Sequence, residues 1–209
     1  MTTTSIRRWR RRAAVLGAGA MIALVPAAAH AVTIGVDYDV TGTSLIASTD
    51  STINLGPATL STDIDANTGN FTGSMPLPGT TTRFEVIGLI PVTAKVDFVE
   101  AAPVTGHIKL FGLDASIEST ASYYIKLSNI KIVGFPTFTG SHCRTKVPVS
   151  IPANTPAGEN FHLTQGGNLE GEYTIGDFEH CGLNTWLINL LVPGSGNTVD
   201  LQVTNGVIG

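Results

Sequence analysis

The segment PVTAKVDFVEAAP, residues 91–103, sets Val92, Ala94, Val96 and Phe98 on one side of an extended chain and Thr93, Lys95 and Asp97 on the other. Successive side chains of a strand point to opposite faces, so this alternation constrains the chain to a sheet with one dry and one wet face. The same pattern recurs along the sequence. VTIGVDYDV sets Val32, Ile34, Val36, Tyr38 and Val40 against Thr33, Asp37 and Asp39, and VTGHIKLF sets Ile108 and Leu110 against His107 and Lys109. In SYYIKLSNIKIV, Tyr123, Ile125 and Leu127 oppose Tyr124, Lys126 and Ser128, and Asn129 allows either one long strand or a bulge. EAAP, ending on Pro103, reads as a compact reversal that makes residues 92–111 a hairpin.

Further strands are expected in TSLIAS, STINL, ATLSTDIDA, GNFTGSM, GNLEGEYTIGDF and NTVDLQV. Pro76 and Pro78 must interrupt any ladder, because proline has no N–H to donate. The β-branched residues favour extended pairing, and 23 glycines and 11 prolines supply the turns. Short strands with short turns predict a mainly β fold, an antiparallel β-sandwich with a β-barrel as the alternative. The polar, proline-spaced stretch IPANTPAGENFHLTQGGN carries no periodicity and reads as a long loop.

One stretch departs from this pattern. In CGLNTWLINLLVPGSGN, residues 181–197, Leu183, Trp186, Leu187, Leu190 and Leu191 fall at i, i+3, i+4, i+7 and i+8, the spacing of one helix face. Pro193-Gly194 ends it, so one short C-terminal helix is expected. Burying all five side chains would contribute about 7 to 12 kcal/mol before ordering entropy. Lys and Arg are absent from residue 181 onward, whereas a helix lying on a membrane surface commonly carries them on its polar face. The helix is therefore read first as an apolar cover over the sheet, and second as a partner or lipid surface.

At the other end, five arginines precede an alanine-rich apolar run that reaches Ala29-His30-Ala31, the small-x-small pattern of a signal peptidase site. Residues 1–31 are expected to be a cleaved secretory signal, exported by the general or the twin-arginine route, and residues 32–209 a single β domain. The run is too short and too broken by Pro26 for a membrane span of about 20 residues. In an oxidising compartment Cys143 and Cys181 are expected to form a disulfide. Closing that loop is worth about 4 kcal/mol in the chain-entropy model.

Cleavage would remove five of the twelve basic residues and none of the sixteen acidic ones, moving the formal charge from −4 to −9. A nucleic-acid partner is disfavoured, since phosphate recognition needs concentrated cations. No G-x-S-x-G, H-E-x-x-H or glycine-rich phosphate loop occurs, so no catalytic residue is assigned and no cofactor is expected. His142 and His180 each precede a cysteine, so a bridge would gather them near Asp177 and Glu179. That grouping is the nearest approach to a metal or pH-sensitive site, and two surface histidines beside an ordinary bridge is the simpler reading. The pairs Asp37/Asp39 and Asp63/Asp65 share strand faces and read as solvated surface. Asn70-Phe71-Thr72 fits a glycosylation sequon.

The arginine-rich leader, PVTAKVDFVEAAPVTGHIKL, Cys143-Arg144-Thr145 and the CGL…LVPGSGNT ending together resemble an uncharacterised group of secreted, β-rich proteins of high-G+C Gram-positive bacteria. The resemblance covers most of the chain after the leader. It implies export and one disulfide-linked β domain, and it brings no catalytic or binding residue.

These readings rank a non-enzymatic secreted or cell-envelope domain with a structural, adhesive or interaction role first. Its partner would be an envelope component, a lipid or a protein, with the oligomeric state left open. An extracellular carrier of an apolar ligand or lipid comes second, with Val96, Phe98, Ile108, Leu110, Tyr123, Ile125 and Leu127 lining its cavity and the Trp186 helix covering it. A secreted hydrolase comes third.

Overall fold

The computed structural model describes residues 32–86, 89–112 and 114–209. The expected leader, residues 1–31, lies outside them. The chain runs through β1 (Thr33–Ile46), β2 (Ser51–Asp65), β3 (Asn70–Ser74), β4 (Thr80–Val86), β5 (Ile90–Phe111) and β6 (Asp114–Ile132). The short strands β7 (Phe135–Pro136), β8 (Arg144–Thr145) and β9 (Val149–Pro152) follow, then β10 (Gly166–Ile175) and β11 (Phe178–Glu179). A 3-10 turn at Gly182–Asn184 leads into α1 (Thr185–Leu191), and β12 (Gly194–Ile208) ends the chain.

Every ladder is antiparallel. The path is β10-β12-β1-β2-β3-β5-β6-β8-β11, with β4 on β5 and with β7 and β9 on β6. The sheet folds over on itself in a sandwich-like arrangement, with the core between its halves. It is not closed into a barrel by a continuous ladder. Between β9 and β10 the described residues form one bridge, in which Asn154 and Glu170 exchange two backbone hydrogen bonds of 2.8 Å. At this crossing a side chain on Gly171 would run into the Pro152 carbonyl.

The alternation read from the sequence is the burial pattern observed over much of the sheet, although Val32 and Ile34, expected on the dry face, are exposed at the entry to β1. Val36, Tyr38 and Val40 are buried while Asp37 and Asp39 face solvent, and Val92, Ala94 and Val96 are buried along β5. Pro76 and Pro78 fall in the gap between β3 and β4, where Met75 and Leu77 turn inward. Near the far end of the sheet, Phe161 anchors the long 153–165 segment by packing edge-on against Tyr38, with ring centroids 5.7 Å apart.

The expected reversal at EAAP is not present. β5 continues through Pro103 as one 22-residue strand, so residues 92–111 are not a hairpin. Pro103 is accommodated because the β5–β6 register shifts between Glu100 and Thr105, and an irregular ladder does not require its missing N–H. Asn129 is both of the things allowed for it. β6 is one long strand, and Asn129 sits in it at φ 50° where the register shifts against β5.

Candidate functional site

The two halves of the sheet splay apart at the end where β1 turns into β2, β4 turns into β5, and β6 and β10 stop. An apolar cavity of about 170 Å³ lies between them, partly open to solvent. Val92, Ala94, Val96 and Phe98 of β5 form one wall with Ile125 and Leu127 of β6. Ile46, Ile53, Tyr173 and Ile175 contribute from the other half, and Phe84 and Val86 from β4. Leu187, Ile188, Leu191 and Val192 of the helical segment close over it. The polar lining comprises Thr49, Ser51, Thr82, Thr137 and Asn184. Thr82 is buried, and its hydroxyl has no hydrogen-bond partner among the described residues.

Of the strand residues expected to line a cavity, Val96, Phe98, Ile125 and Leu127 do so. Tyr123 sits deeper, and its hydroxyl donates to the Met75 carbonyl at 2.6 Å. Ile108 packs in the core near Tyr38 and Phe161 at the opposite end. Leu110 is 60% exposed, because the face it was assigned runs past the core at the end of β5.

The helix also needs correcting. It does cover the cavity, but not with the face expected. Leu183 (81% exposed), Trp186 (69%) and Leu190 (69%) point outward, while Ile188 is buried and Leu187, Leu191 and Val192 face the cavity. The burial estimated for five side chains together is therefore not realised. Two physical reasons account for this. Leu183 lies in the preceding 3-10 turn, not on the helix. From Trp186 to Val192 nearly every residue is apolar, so periodicity cannot choose a face and the attachments of the segment must.

Three attachments make that choice. Cys143 and Cys181, both fully buried, form the expected disulfide and tie the entry of the helix to the edge of β6, where the Leu127 N–H donates to the Cys143 carbonyl. Asn189 then acts as a two-point clamp. Its Nδ2 donates to the Phe178 carbonyl at 3.0 Å, and its Oδ1 accepts the Phe178 N–H at 2.7 Å. Asn197 fixes the start of β12, with Nδ2 donating to the Tyr173 and Gly194 carbonyls and Oδ1 accepting the Ala47 N–H. Sequence reasoning assigned no role to either asparagine. For Asn189 the only available signal was an amide amid an otherwise apolar helix, which fits a solvated position equally well.

The chemistry of the remaining polar groups is structural. The Tyr173 hydroxyl pairs with Ser44 Oγ at 2.7 Å, and burial raises its pKa against the lowering effect of that hydrogen bond. Burial pushes Tyr38 up to about 12, and its hydroxyl is unpartnered. Burial, with the Glu100 charge second, also raises Tyr123. His142 contacts Ser141 Oγ at 2.9 Å, and His180 lies 3.7 Å from the Glu179 carboxylate. No group of three His, Cys, Asp or Glu among the described residues could hold a metal ion. Asp65 accepts the N–H groups of Asn67 and Thr68 in the β2–β3 turn, and the Asn67 N–H above all holds its carboxyl below the ordinary range.

No family model, no curated protein and no solved structure matches the chain. The described residues are a mainly β domain without a metal-ligating cluster and with an apolar cavity at one end of the sheet.

Proposed function

We propose that this protein is a carrier or sequestering protein for an apolar ligand, acting outside the cytoplasm after loss of residues 1–31. The observation that carries the reading is the aliphatic cavity beneath α1. Protein interiors ordinarily pack with few voids larger than a water molecule. A buried apolar cavity of about 150 Å³ accepts a benzene-sized molecule, so about 170 Å³ suits a short alkyl segment or a single ring. Among the described residues no charged side chain lines this cavity, so the enclosed part of the ligand would be uncharged. The Thr82 hydroxyl offers one hydrogen bond, and a larger polar head would remain at the half-buried Thr49 and Asn184.

The test is extraction of protein purified natively from an exporting host, followed by mass spectrometry and titration of the delipidated protein with a fluorescent fatty acid. A stoichiometric apolar molecule in the extract and saturable, competable binding are expected. Ligand-free protein that also fails to take up the probe would overturn the reading. The exposed Leu183, Trp186 and Leu190 favour a second, interaction role on the outer side of the same helix.

A further inference from the structure

The cavity rim has a repeated local composition. Six lining residues, Ile90, Ile132, Thr137, Asn184, Leu187 and Leu191, each adjoin a large apolar residue that faces solvent. These neighbours are Leu89, Val133, Phe138, Leu183, Trp186 and Leu190. They come from the β4–β5 turn, the segment after β6, and the helical segment. The last two are joined directly, since Asn184 Nδ2 donates to Thr139 Oγ1 at 3.3 Å. Phe138 is 87% exposed. Soluble proteins rarely leave a contiguous apolar patch of several such side chains uncovered unless it binds something.

Charge selects the partner. Of the seven basic residues after residue 31, only Lys109 lies toward the opposite end of β5. Arg83 of β4 and Lys131 of β6 both pair with Thr93 of β5, so they flank one position about 10 Å apart, two strand spacings. Lys126 and Lys146 follow on β6 and just after β8. None of these four is in an ion pair among the described residues, whereas Lys95 and Arg144 are paired with Asp97 and Glu179. Asp50, Glu85, Glu172, Asp177 and Glu179 share this end, Glu179 as the partner of Arg144. The opposite end carries Asp37, Asp63, Asp65, Asp114 and Glu118 with Lys109 as its one cation. In a chain of net charge −9 after residue 31, six of the seven cations thus fall on the side of the apolar patch, while the acids are spread over both ends.

We infer that this end of the molecule docks on the surface of an anionic lipid bilayer. Leu183, Trp186, Leu190 and Phe138 enter the headgroup region while Arg83 and Lys131 face lipid phosphates. An exposed apolar face flanked by cations binds such surfaces through buried area plus attraction to anionic headgroups. Tryptophan in particular settles at that depth. The inference deepens the carrier reading, since it presents the cavity mouth to the lipid phase, but its evidence is the outer surface and not the cavity.

Trp186 provides the readout, because the only other tryptophan, Trp9, belongs to the expected leader. The protein without its leader is mixed with vesicles of phosphatidylcholine alone, and of phosphatidylcholine containing a third phosphatidylglycerol. The expected result is a blue shift of Trp186 emission and co-sedimentation with the anionic vesicles, lost at high salt. The double variants Leu183→Ser/Leu190→Ser and Arg83→Glu/Lys131→Glu should each bind about tenfold or more weakly. These are surface positions, and unchanged far-UV circular dichroism confirms that each variant folds. No emission shift and no co-sedimentation, equal binding to both vesicle types, or a blue-shifted Trp186 in a lipid-free dimer would each overturn the inference. Ala94→Leu, which fills the cavity, should still dock. Docking with no cavity ligand would sink the carrier reading alone, and ligand uptake without docking would sink this inference alone.

Discussion

Two buried tyrosines with opposite hydrogen bonding make the clearest contrast at the residue scale. The Tyr38 hydroxyl is buried without a partner among the described residues, whereas that of Tyr123 donates to the Met75 carbonyl. An unsatisfied buried hydroxyl costs free energy, and a satisfied one contributes about 1 kcal/mol. Tyr38→Phe is therefore expected to leave stability unchanged or raise it by about 1 kcal/mol, and Tyr123→Phe to lower it by a similar amount, in urea unfolding. Tyr38, like the buried Tyr123 and Tyr173, also contributes to an alkaline limit. Its phenol ionises near 10 when unfolded and near 12 when folded, so burial favours the protonated form. The stability linked to that proton is complete below about pH 10 and is lost as pH rises through about 12. Unfolding midpoints measured from pH 9 to 12 should fall less steeply in Tyr38→Phe than in the parent. The inward position of Tyr38 was legible in VTIGVDYDV, but its missing partner was not, because that depends on what Phe161 and the 153–165 segment bring against it.

At the scale of elements, α1 has only seven residues, too few to be stable alone, so its position depends on its attachments. Removing the Asn189 amide leaves the Phe178 N–H and carbonyl without their observed partners. Asn189→Ala should cost about 2 kcal/mol by urea unfolding and raise hydrogen exchange across residues 185–191. A variant with native stability and unchanged exchange would show that the clamp does not hold the helix. The disulfide is the second attachment, and Cys143→Ala/Cys181→Ala should lower stability by about 2 to 5 kcal/mol, as reduction of the parent should. The existence of this helix and its bridge was legible from local spacing and from cysteine count. The face it buries was not, because TWLINLLV is apolar almost all round, and the choice lay with Cys181, Asn189 and the shape of the opening below. The course of β5 was misread for a related reason. Proline and small residues at EAAP suit a turn, yet a bulge facing β6 accommodates them equally.

For the whole molecule, the consequential feature is that the sheet does not pack to closure at the α1 end. Ala94→Leu extends a wall residue into the void. It should raise the thermal midpoint by a few degrees, the scale of about 1 kcal/mol from cavity filling, and weaken fatty-acid uptake at least tenfold. Unchanged uptake would place the ligand elsewhere. The sequence by itself determined that the chain is mainly β, which residues of most strands face inward, and which two sulfurs join. All of these follow from the two-residue period of strands and from residue types, which act locally. Tertiary structure alone decided that the sheet stays open, that the cavity lies beneath α1, and that Arg83 and Lys131 stand beside a tip with no cations of its own in the helix. Those facts depend on how separate strands meet across the core, and local alternation is the same whether an inward side chain finds a packed neighbour or an empty space.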